Sequence, residues 1–436
     1  MTLFGLLEEY VREGTLHVQL PDGTRRRFGS GQPEASILFT EPATIRRIAY
    51  DPGFEFGQTY MEGAWKPGDE GLRALLQLTM NNFAEMFDQQ RRYPLNMVRK
   101  LLQQGNRIRR AYRNVSHHYD LDEWLFRRFL DTGMFYSCAY FERPDMTLEE
   151  AQIAKCRHIA LKLRLQPGMR VLDIGSGWGG LAMHLASEYG VSVDGLTLSQ
   201  EQLRVAQEEC SRRGLDERVA FHFRDYREHE GQYDRIVSVG MFEHVGQPYY
   251  TAFFRQLSDL LKEDGVALLH TIGRTNGPGT TNTWLRHYIF PGGYTPALSE
   301  LSAALEQTPL MVTDLEVWRL HYAETLAEWY RRFESVRAEV AERFDERFCR
   351  MWEFYLASCE GTFRYWDQVV FHVQMAKRHD AVPVTRDYMY PGEALSHVLR
   401  QAQDERQLDD SVRGELVEPQ AEPNISAFPE MKRPRR

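Results

Sequence analysis

The chain has 436 residues, of which 42% are hydrophobic and 26% charged, so it is long enough for two or three domains and typical in composition of a soluble globular protein. Its net charge of -9 gives no reason to propose a nucleic-acid partner. Five scattered cysteines show no paired metal spacing, and no apolar run approaches the ~18 residues of a membrane span. We therefore predict a cytoplasmic protein with reduced thiols and no metal site.

Residues 1–95 are predicted to form a small α+β module. Leu16–Leu20 and Thr24–Phe28 alternate like two strands joined by the turn Pro21–Gly23, and an amphipathic helix is expected from about Leu72. No residue pattern in this module is typical of catalysis. We expect it to bind, to position a substrate or to dimerise.

Residues 96–115 form a basic linker whose role the sequence leaves open. Its cationic residues alternate with apolar ones and are Arg99, Lys100, Arg107, Arg109, Arg110 and Arg113. A solvated helix face and a contact with acidic lipid head groups explain this pattern about equally well.

A glycine loop is the central feature of residues 116–395, the predicted catalytic domain. Helices are predicted over 121–130 and 148–165, and then Val171–Ile174 predicts a strand, Gly175–Gly180 a tight turn and Leu181–Tyr189 a helix. This is the opening unit of a doubly wound α/β domain. Glycines let such a loop approach a nucleotide-like ligand at the helix N-terminus.

Asp173 indicates which cofactor the loop suits. The glycine spacing alone is shared with dinucleotide sites, and Asp194 lies near the usual offset of a ribose-binding acid. However, the Asp173 carboxylate lies just ahead of the glycines, where it would repel a pyrophosphate and attract a sulfonium or ammonium group. Asp194 is followed by further strand residues, so we do not expect it at the ligand-binding end of its strand. The residues favour S-adenosylmethionine over NAD.

Polar residues follow several later strands, which are predicted over 191–198, 219–223, 233–239 and 266–270. Ser199 is placed to cap the next helix, and Asp225 and Tyr226 to contact an adenine. Glu243 and His270 follow consecutive strand ends, above the site that the glycine loop defines. One such residue alone would favour a structural role, but two together favour a function.

The last part of the chain is predicted to be helical and then disordered. Aromatic residues recur at near-helical spacing from Leu320 to Arg378, which indicates long amphipathic helices. Residues 396–436 are polar, charged and proline-containing, and they predict a disordered tail. The basic cluster at its end is better explained by solvation than by membrane contact.

Seven ordered segments resemble the family of cyclopropane fatty acid synthases, which includes the mycolic acid cyclopropane synthases. They are Tyr136-Ser-Cys-Ala-Tyr140, Asp173-Ile-Gly-Ser-Gly-Trp-Gly179, Thr197-Leu-Ser-Gln-Glu-Gln202, Met241-Phe-Glu-His-Val-Gly246, His270-Thr-Ile-Gly273, Tyr288-Ile-Phe-Pro-Gly-Gly293 and Tyr322-Ala-Glu-Thr-Leu326. The likeness runs from about residue 36 to 378, and Gly57–Trp65 is similar to the family's substrate-binding domain. It implies a Rossmann-like, doubly wound class I methyltransferase domain with a small α+β N-terminal lipid-binding domain.

The resemblance implies methylene transfer from S-adenosylmethionine to the cis double bond of unsaturated phospholipid acyl chains, with bicarbonate as the general base. The bicarbonate cradle would consist of Cys138, Glu243, His270, the backbone N–H of Ile272, and Tyr322. Cys359 matches a cysteine that the family pattern sometimes labels catalytic, although no step needs a covalent nucleophile and core packing is the expected role. The implied cofactor residues are Tyr136, Ser137, Asp173, Gly175, Ser176, Gly177, Trp178, Gly179, Thr197, Leu198, Ser199, Gln202, Asp225 and Tyr226. Thr197 and Ser199 are equally suited to capping.

The resemblance also implies a homodimer in the cytoplasm, associated peripherally with the inner face of the membrane. Two other classes of function stay open: a methyltransferase making methyl-branched chains or methylating a small-molecule amine, and a lipid-binding protein without catalysis. The intact set of Glu243, His270 and Tyr322 argues against the amine and binding-only alternatives.

Overall fold

The computed structural model describes residues 3–91 and 123–390. Contacts between Cα atoms divide the chain into the units Met1–Val384 and Thr385–Arg436, and the second contributes one described 3-10 helix, Asp387–Met389. The predicted domain boundaries, the basic linker and the predicted tail all lie outside the described residues. Within the residues described, no helix is both long enough and apolar enough to cross a bilayer.

A four-stranded sheet with flanking helices occupies the N-terminal part of the first unit. Its strands, in the order β2-β1-β3-β4, are β1 (Gly14–Gln19), β2 (Arg25–Ser30), β3 (Glu34–Phe39) and β4 (Trp65–Pro67). Its helices are α1 (Leu3–Tyr10), α2 (Pro42–Tyr50), α3 (Pro52–Met61) and α4 (Gly71–Arg91). The predicted hairpin and the helix near Leu72 are confirmed. Pro52 starts α3 at a position where no backbone donor is lost, and the Asp51 side chain caps it by accepting from the N–H of Phe54.

A seven-stranded sheet with the order β10-β11-β9-β8-β5-β6-β7 forms the centre of the rest of the unit. The strands are β5 (Arg170–Ile174), β6 (Ser192–Thr197), β7 (Val219–Phe223), β8 (Tyr233–Val239), β9 (Leu261–Arg274), β10 (Met311–Trp318) and β11 (Gln368–Ala376). The pairs from β9 to β7 are parallel, whereas β11 and β10 add antiparallel strands at one side. The strand order reverses between β5 and β8, which is where doubly wound sheets open their ligand crevice. The predicted fold class is confirmed.

Helices cover both faces of this sheet. They are α5 (Glu123–Phe129), α6 (Leu148–Lys162), α7 (Gly180–Tyr189), α8 (Gln200–Arg212), α9 (Tyr250–Leu260), α10 (Thr283–Tyr288), α11 (Leu298–Leu305), α12 (His321–Arg343) and α13 (Glu346–Tyr365). The N-terminal helices α3 and α4 pack against α13, and α3 also contacts α10. The space between these helices and the sheet holds the inner cavity described below.

Three features of the sheet differ from the sequence prediction. Strand β10 was not expected, and β11 lies within the stretch 320–378 that was predicted to be helical. Almost every residue of β11, including His372 and Gln374, is buried, so the strand lacks the alternation of a half-exposed strand. Strand β9 is also longer than predicted, so His270 lies inside it and not at its end. His270 pairs with Val239, the last residue of β8, and so still lies at the predicted edge of the sheet.

Candidate active site

The glycine loop between β5 and α7 bends through three left-handed glycines. Gly175, Gly177 and Gly179 have φ angles of 87°, 54° and 85°, a region that other residues adopt only with strain. A Cβ atom on Gly179 would lie 2.6 Å from the Phe221 ring, so this glycine is required by packing against β7. The loop closes one side of a cavity at the carboxyl ends of β5, β6 and β8, which we call the glycine-loop cavity.

The glycine-loop cavity is lined by every predicted cofactor residue except Gly179 and Ser199. Ser199 instead caps α8, because its side-chain oxygen accepts from the N–H of Gln202 at 3.2 Å. Thr197 lines the cavity and donates its hydroxyl to the side-chain oxygen of Gln202 at 3.1 Å. The structural alternative that the sequence left open therefore holds for Ser199.

Asp173 and Lys155 are two of the charged residues that line the glycine-loop cavity. Asp173 Oδ2 is buried and has no hydrogen-bond partner among the described residues. Burial raises the pKa of the Asp173 carboxyl to about 7, and the nearby Lys155 ammonium limits that rise. Lys155 is itself fully buried and donates to the Ser137 hydroxyl at 2.8 Å. Such a pocket suits a ligand that brings a positive charge to Asp173.

Sequence reasoning missed Lys155. It belongs to a face of α6 on which polar residues recur at helical spacing and are all buried, namely Gln152, Lys155, His158 and Lys162. A polar stripe on a helix normally predicts a solvent-exposed face. The stripe indicates buried polar residues only once this face of α6 is known to lie against the sheet.

A second cavity, which we call the inner cavity, lies between the sheet and helices α3, α4, α12 and α13. It has a volume of about 390 Å³ and shares Tyr136, Ser137, Gly240 and His244 with the glycine-loop cavity, so the two cavities adjoin. Its apolar wall includes Phe56, Leu76, Met80, Leu326, Phe354 and Phe363. Of the predicted catalytic residues, it brings together Glu243, His270, Ile272, Tyr322 and Cys359.

Glu243 is held just beyond the end of β8, in a 3-10 helix that spans Phe242–His244. Its Oε1 accepts from the backbone N–H of Ile272 at 2.6 Å, while Oε2 is buried without a hydrogen-bond partner among the described residues. Burial raises the pKa of the carboxyl to about 7, against the smaller opposing effect of the Ile272 hydrogen bond. Near neutral pH this group can therefore both hold and release a proton.

His270 and Tyr322 contribute two further polar groups to the inner cavity. His270 is buried, and its Nδ1 lies 2.7 Å from Nε2 of His372 on β11, which leaves Nε2 on the cavity side. Tyr322 packs its ring against Phe363, and burial raises the pKa of its hydroxyl well above the ordinary value. Tyr322 is therefore a neutral hydrogen-bond donor.

The two predicted cysteines are in different positions. Cys138 is fully buried and does not line the inner cavity, and its thiol donates to the carbonyl oxygen of Ala139 at 3.2 Å. Cys359 does line the cavity, but burial raises the pKa of its thiol to about 12. Burial raises the pKa of the Cys138 thiol as well. Because the thiolate is the nucleophile, neither thiol is activated for covalent chemistry.

Comparisons with known proteins identify the family to which the chain belongs. Residues 106–373 match the mycolic acid cyclopropane synthetase family. The chain is 40% identical to the cyclopropane-fatty-acyl-phospholipid synthase of Escherichia coli (strain K12), over 78% of this chain and 89% of that protein. It is 35% identical to the tuberculostearic acid methyltransferase UfaA1 of Mycobacterium tuberculosis, over 82% and 87% of the two chains.

A solved structure of mycolic acid cyclopropane synthase CmaA1, complexed with SAH and CTAB, superposes with a TM-score of 0.58 at 36% identity. The match covers 61% of this chain and 97% of that one. The chain therefore belongs to the mycolic acid cyclopropane synthetase family and is an S-adenosylmethionine-dependent methyltransferase with a Rossmann-like fold.

Proposed function

We propose that this enzyme is a cyclopropane-fatty-acyl-phospholipid synthase, which transfers a methylene from S-adenosylmethionine to the cis double bond of an unsaturated phospholipid acyl chain. The observation that carries the proposal is the junction of the two cavities. A cavity with a buried carboxylate suited to a cationic cofactor adjoins, at Tyr136 and Ser137, an apolar cavity that is also lined by Glu243. The similarity to the Escherichia coli synthase over most of both chains supports the same assignment.

The glycine-loop cavity fits S-adenosylmethionine, which when bound supplies a methyl group on a cationic sulfonium. The unpartnered Asp173 oxygen would receive the positive charge of the ammonium or sulfonium group. Gln202, held by Thr197, would bind the ribose. Asp225 and Tyr226 would hold the adenine between them.

The inner cavity would hold the acyl chain and exclude water from it. Its wall is rich in aromatic rings, whose faces stabilise a nearby cation, and Phe290, Phe354 and Phe363 are among them. Exclusion of water matters because a cation on the chain that captured water would become a hydroxylated product instead of a ring. Leu76 and Met80 of α4 line the same cavity, so N-terminal residues contribute to this wall.

The polar end of the inner cavity fits bicarbonate, which when bound would supply the base for the proton that leaves the added methyl group. Glu243 Oε2 is a buried polar atom in need of a partner, and with its proton it would donate to such an anion. Tyr322 would donate its hydroxyl to the same anion. The N–H of Ile272 is already engaged by Glu243, so we assign Ile272 the role of orienting that carboxyl. We assign no covalent role to Cys138 or Cys359.

We further propose that the enzyme is a homodimer that associates peripherally with the inner face of the membrane. The support for membrane association is chemical, since the acyl chains that the inner cavity would accept reside in the bilayer. The support for the dimer is the resemblance to the family alone. Co-sedimentation with vesicles containing anionic lipid tests the membrane part, and analytical ultracentrifugation tests the dimer. A chain that stays in the supernatant and sediments as a monomer would refute both.

Mass spectrometry of acyl chains tests the main proposal. Unsaturated phospholipid vesicles are incubated with the enzyme and S-adenosylmethionine, with and without bicarbonate. The expected product gains one methylene, resists mild hydrogenation and forms faster with bicarbonate. The same mass gain with the double bond retained would instead identify a methyl-branching enzyme, a second candidate that the similarity to tuberculostearic acid methyltransferase supports. No mass gain would refute both.

Three variants test the assigned roles. We expect Glu243→Gln and Tyr322→Phe to lose most turnover, about 100-fold or more, and to keep S-adenosylmethionine binding, because both groups lie in the inner cavity. Tyr330→Phe is the matched control, since Tyr330 is on the same helix as Tyr322 and does not line that cavity. Near-normal rates for Glu243→Gln or Tyr322→Phe at saturating bicarbonate would refute the cradle assignment.

A further inference from the structure

His372 is a buried polar residue to which the proposed reaction assigns no task. It is on β11 and pairs with His270 on one neighbouring strand and with Glu316 on the other, so the three side chains form a row across β9, β11 and β10. We call them the histidine row. Its inner end is His270, which lines the inner cavity, and the rings of His270 and His372 are joined by the 2.7 Å contact between Nδ1 and Nε2.

The surroundings hold both rings in place. The Trp318 indole stacks on the His372 ring at 3.9 Å between centroids and meets the His270 ring edge-on at 5.3 Å. These contacts leave each imidazole little freedom to rotate. The bond between the two histidines is therefore a fixed feature of the site.

The groups around the row keep the histidines neutral. Lys155, His158 and Lys162 face the two histidines from α6, and Glu316 and Asp314 face them from β10. Burial lowers the pKa of His372 well below its ordinary value, and the neighbouring His270 and the lysines lower it further. The pKa of His270 is lowered in the same way, by burial and then by Lys155 and Lys162.

The row is a poor metal site although His158, Glu316 and His372 bring ligand atoms within 4.8 Å of one another. The ammonium of Lys162 lies 2.6 Å from Glu316 Oε2 and already supplies the positive charge that this carboxylate needs. A divalent cation at the same place would be repelled by Lys162.

The tautomer of the row follows from its one unpartnered atom. His372 Nδ1 is buried and has no hydrogen-bond partner within the described part of the chain. If His372 carried its proton there, a buried N–H would lack an acceptor, which proteins rarely tolerate, whereas an unpartnered acceptor costs less. The proton of neutral His372 is therefore on Nε2 and is donated to His270 Nδ1. His270 must then carry its own proton on Nε2, which faces the inner cavity.

We propose that His372 is a positioning residue that fixes His270 in the Nε2–H tautomer, so that His270 presents a hydrogen-bond donor to the anion beside Glu243. The assignment deepens the proposed function and rests on it for the identity of the anion. The assignment also gives different roles to the residues at the polar end of the cavity. His270 and Tyr322 donate to the anion, and Glu243 is the group there that exchanges a proton near neutral pH.

Nitrogen-15 NMR of the ligand-free, full-length enzyme with labelled histidines tests the tautomer directly, since protonated and bare ring nitrogens differ in chemical shift. We expect His270 to show a protonated Nε2 and a bare Nδ1, and His372 to show the same pattern, each assigned by loss of its signals in a His270→Gln or His372→Gln variant. A protonated Nδ1 on His270 would overturn the proposal.

Two substitutions of His372 test whether its hydrogen bond to His270 affects the bicarbonate dependence of the rate. His372→Met fills similar volume without a donor, whereas the amide N–H of His372→Gln can still donate to His270 Nδ1. We expect the bicarbonate concentration for half-maximal rate to rise about tenfold in His372→Met and to change little in His372→Gln. The KM for S-adenosylmethionine should stay constant in both variants. Equal bicarbonate dependence in wild type and His372→Met would overturn the proposal. The expected tautomer with a rate independent of bicarbonate would instead refute the proposed base and leave the tautomer assignment standing.

Discussion

Replacing Glu243 with glutamine is expected to stabilise the ligand-free enzyme at alkaline pH. Burial raises the pKa of this carboxyl from 4.5 to about 7 in the folded state. A group whose pKa is higher in the folded state favours folding below its unfolded pKa, and this contribution is lost as pH rises through the folded pKa. The rise corresponds to a cost of about 3 kcal/mol in unfolding free energy well above pH 7. Glutamine removes that cost and still accepts from the N–H of Ile272.

The measurement is urea unfolding of both proteins, followed by tryptophan fluorescence at pH 5, 7 and 8.5. We expect the Glu243→Gln variant to be more stable than wild type by about 3 kcal/mol at pH 8.5, and by much less at pH 5, where the carboxyl of the folded wild type is protonated. A difference that does not change between pH 5 and 8.5 would refute the reasoning, because it would mean that Glu243 ionises as readily in the folded chain as in the unfolded one.

Glu316→Gln is the matched control with the opposite sign. Burial raises the pKa of Glu316, but the hydrogen bonds and charges of His158 and Lys162 outweigh it and lower the pKa to about 2. A depressed pKa contributes stability above the unfolded value near 4.5, and this is lost as pH falls through about 2. The Glu316→Gln variant should therefore be less stable than wild type across pH 5 to 8.5, with little pH trend.

Two further predictions concern cofactor binding and packing. Because the pKa of Asp173 is raised to about 7, its carboxylate forms between pH 6 and pH 8, and the affinity for S-adenosylmethionine measured by calorimetry should increase over this range. Asp173→Asn should weaken binding and abolish this increase. A wild-type affinity that does not change from pH 6 to pH 8 would contradict the assignment. In α3, a Cβ on Gly57 would lie 2.8 Å from the Phe354 and Trp284 rings, whereas on Gly53 it would meet ordinary contacts at 3.7 Å. Gly57→Ala should therefore lower the unfolding free energy by about 1–3 kcal/mol, whereas Gly53→Ala should not. Equal changes of melting temperature in the two variants would contradict this, because they would mean that the rings around Gly57 move aside at little cost.

The parts of the site that the sequence predicted correctly are local. The strand, glycine turn and helix from Val171 to Tyr189 are recognisable from the residues of that segment alone. The same is true of the helix cap at Ser199. The position of Glu243 at the mouth of the crevice followed from a general rule about strand ends, and the structure places it there.

The parts that the sequence did not predict depend on partners far along the chain. Strand β11 is buried on both faces and follows a helix, so its residues lack the exposed-and-buried alternation of a strand and were predicted to continue the helix. The buried face of α6 carries Lys155, His158 and Lys162, which are compatible with burial only because Ser137, Glu316 and Asp314 meet them from other elements. No spacing within α6 indicates those partners.

The inner cavity is lined both by the N-terminal helices and by the part of the chain that contains the seven-stranded sheet, which we call the sheet domain. Its wall combines α4 with α12 and α13, and polar contacts join the N-terminal helices to α13. Tyr60 donates to Glu353 at 2.9 Å, and Arg73 pairs with Glu360 at 2.5 Å. Tyr60 of α3 contacts a buried carboxylate, whereas the Arg73 side chain of α4 is 49% exposed, so the first contact holds α3 against α13 more firmly than the second holds α4. The space available to an acyl chain is therefore set jointly by both parts, whereas the polar chemistry at Glu243 belongs to the sheet domain alone.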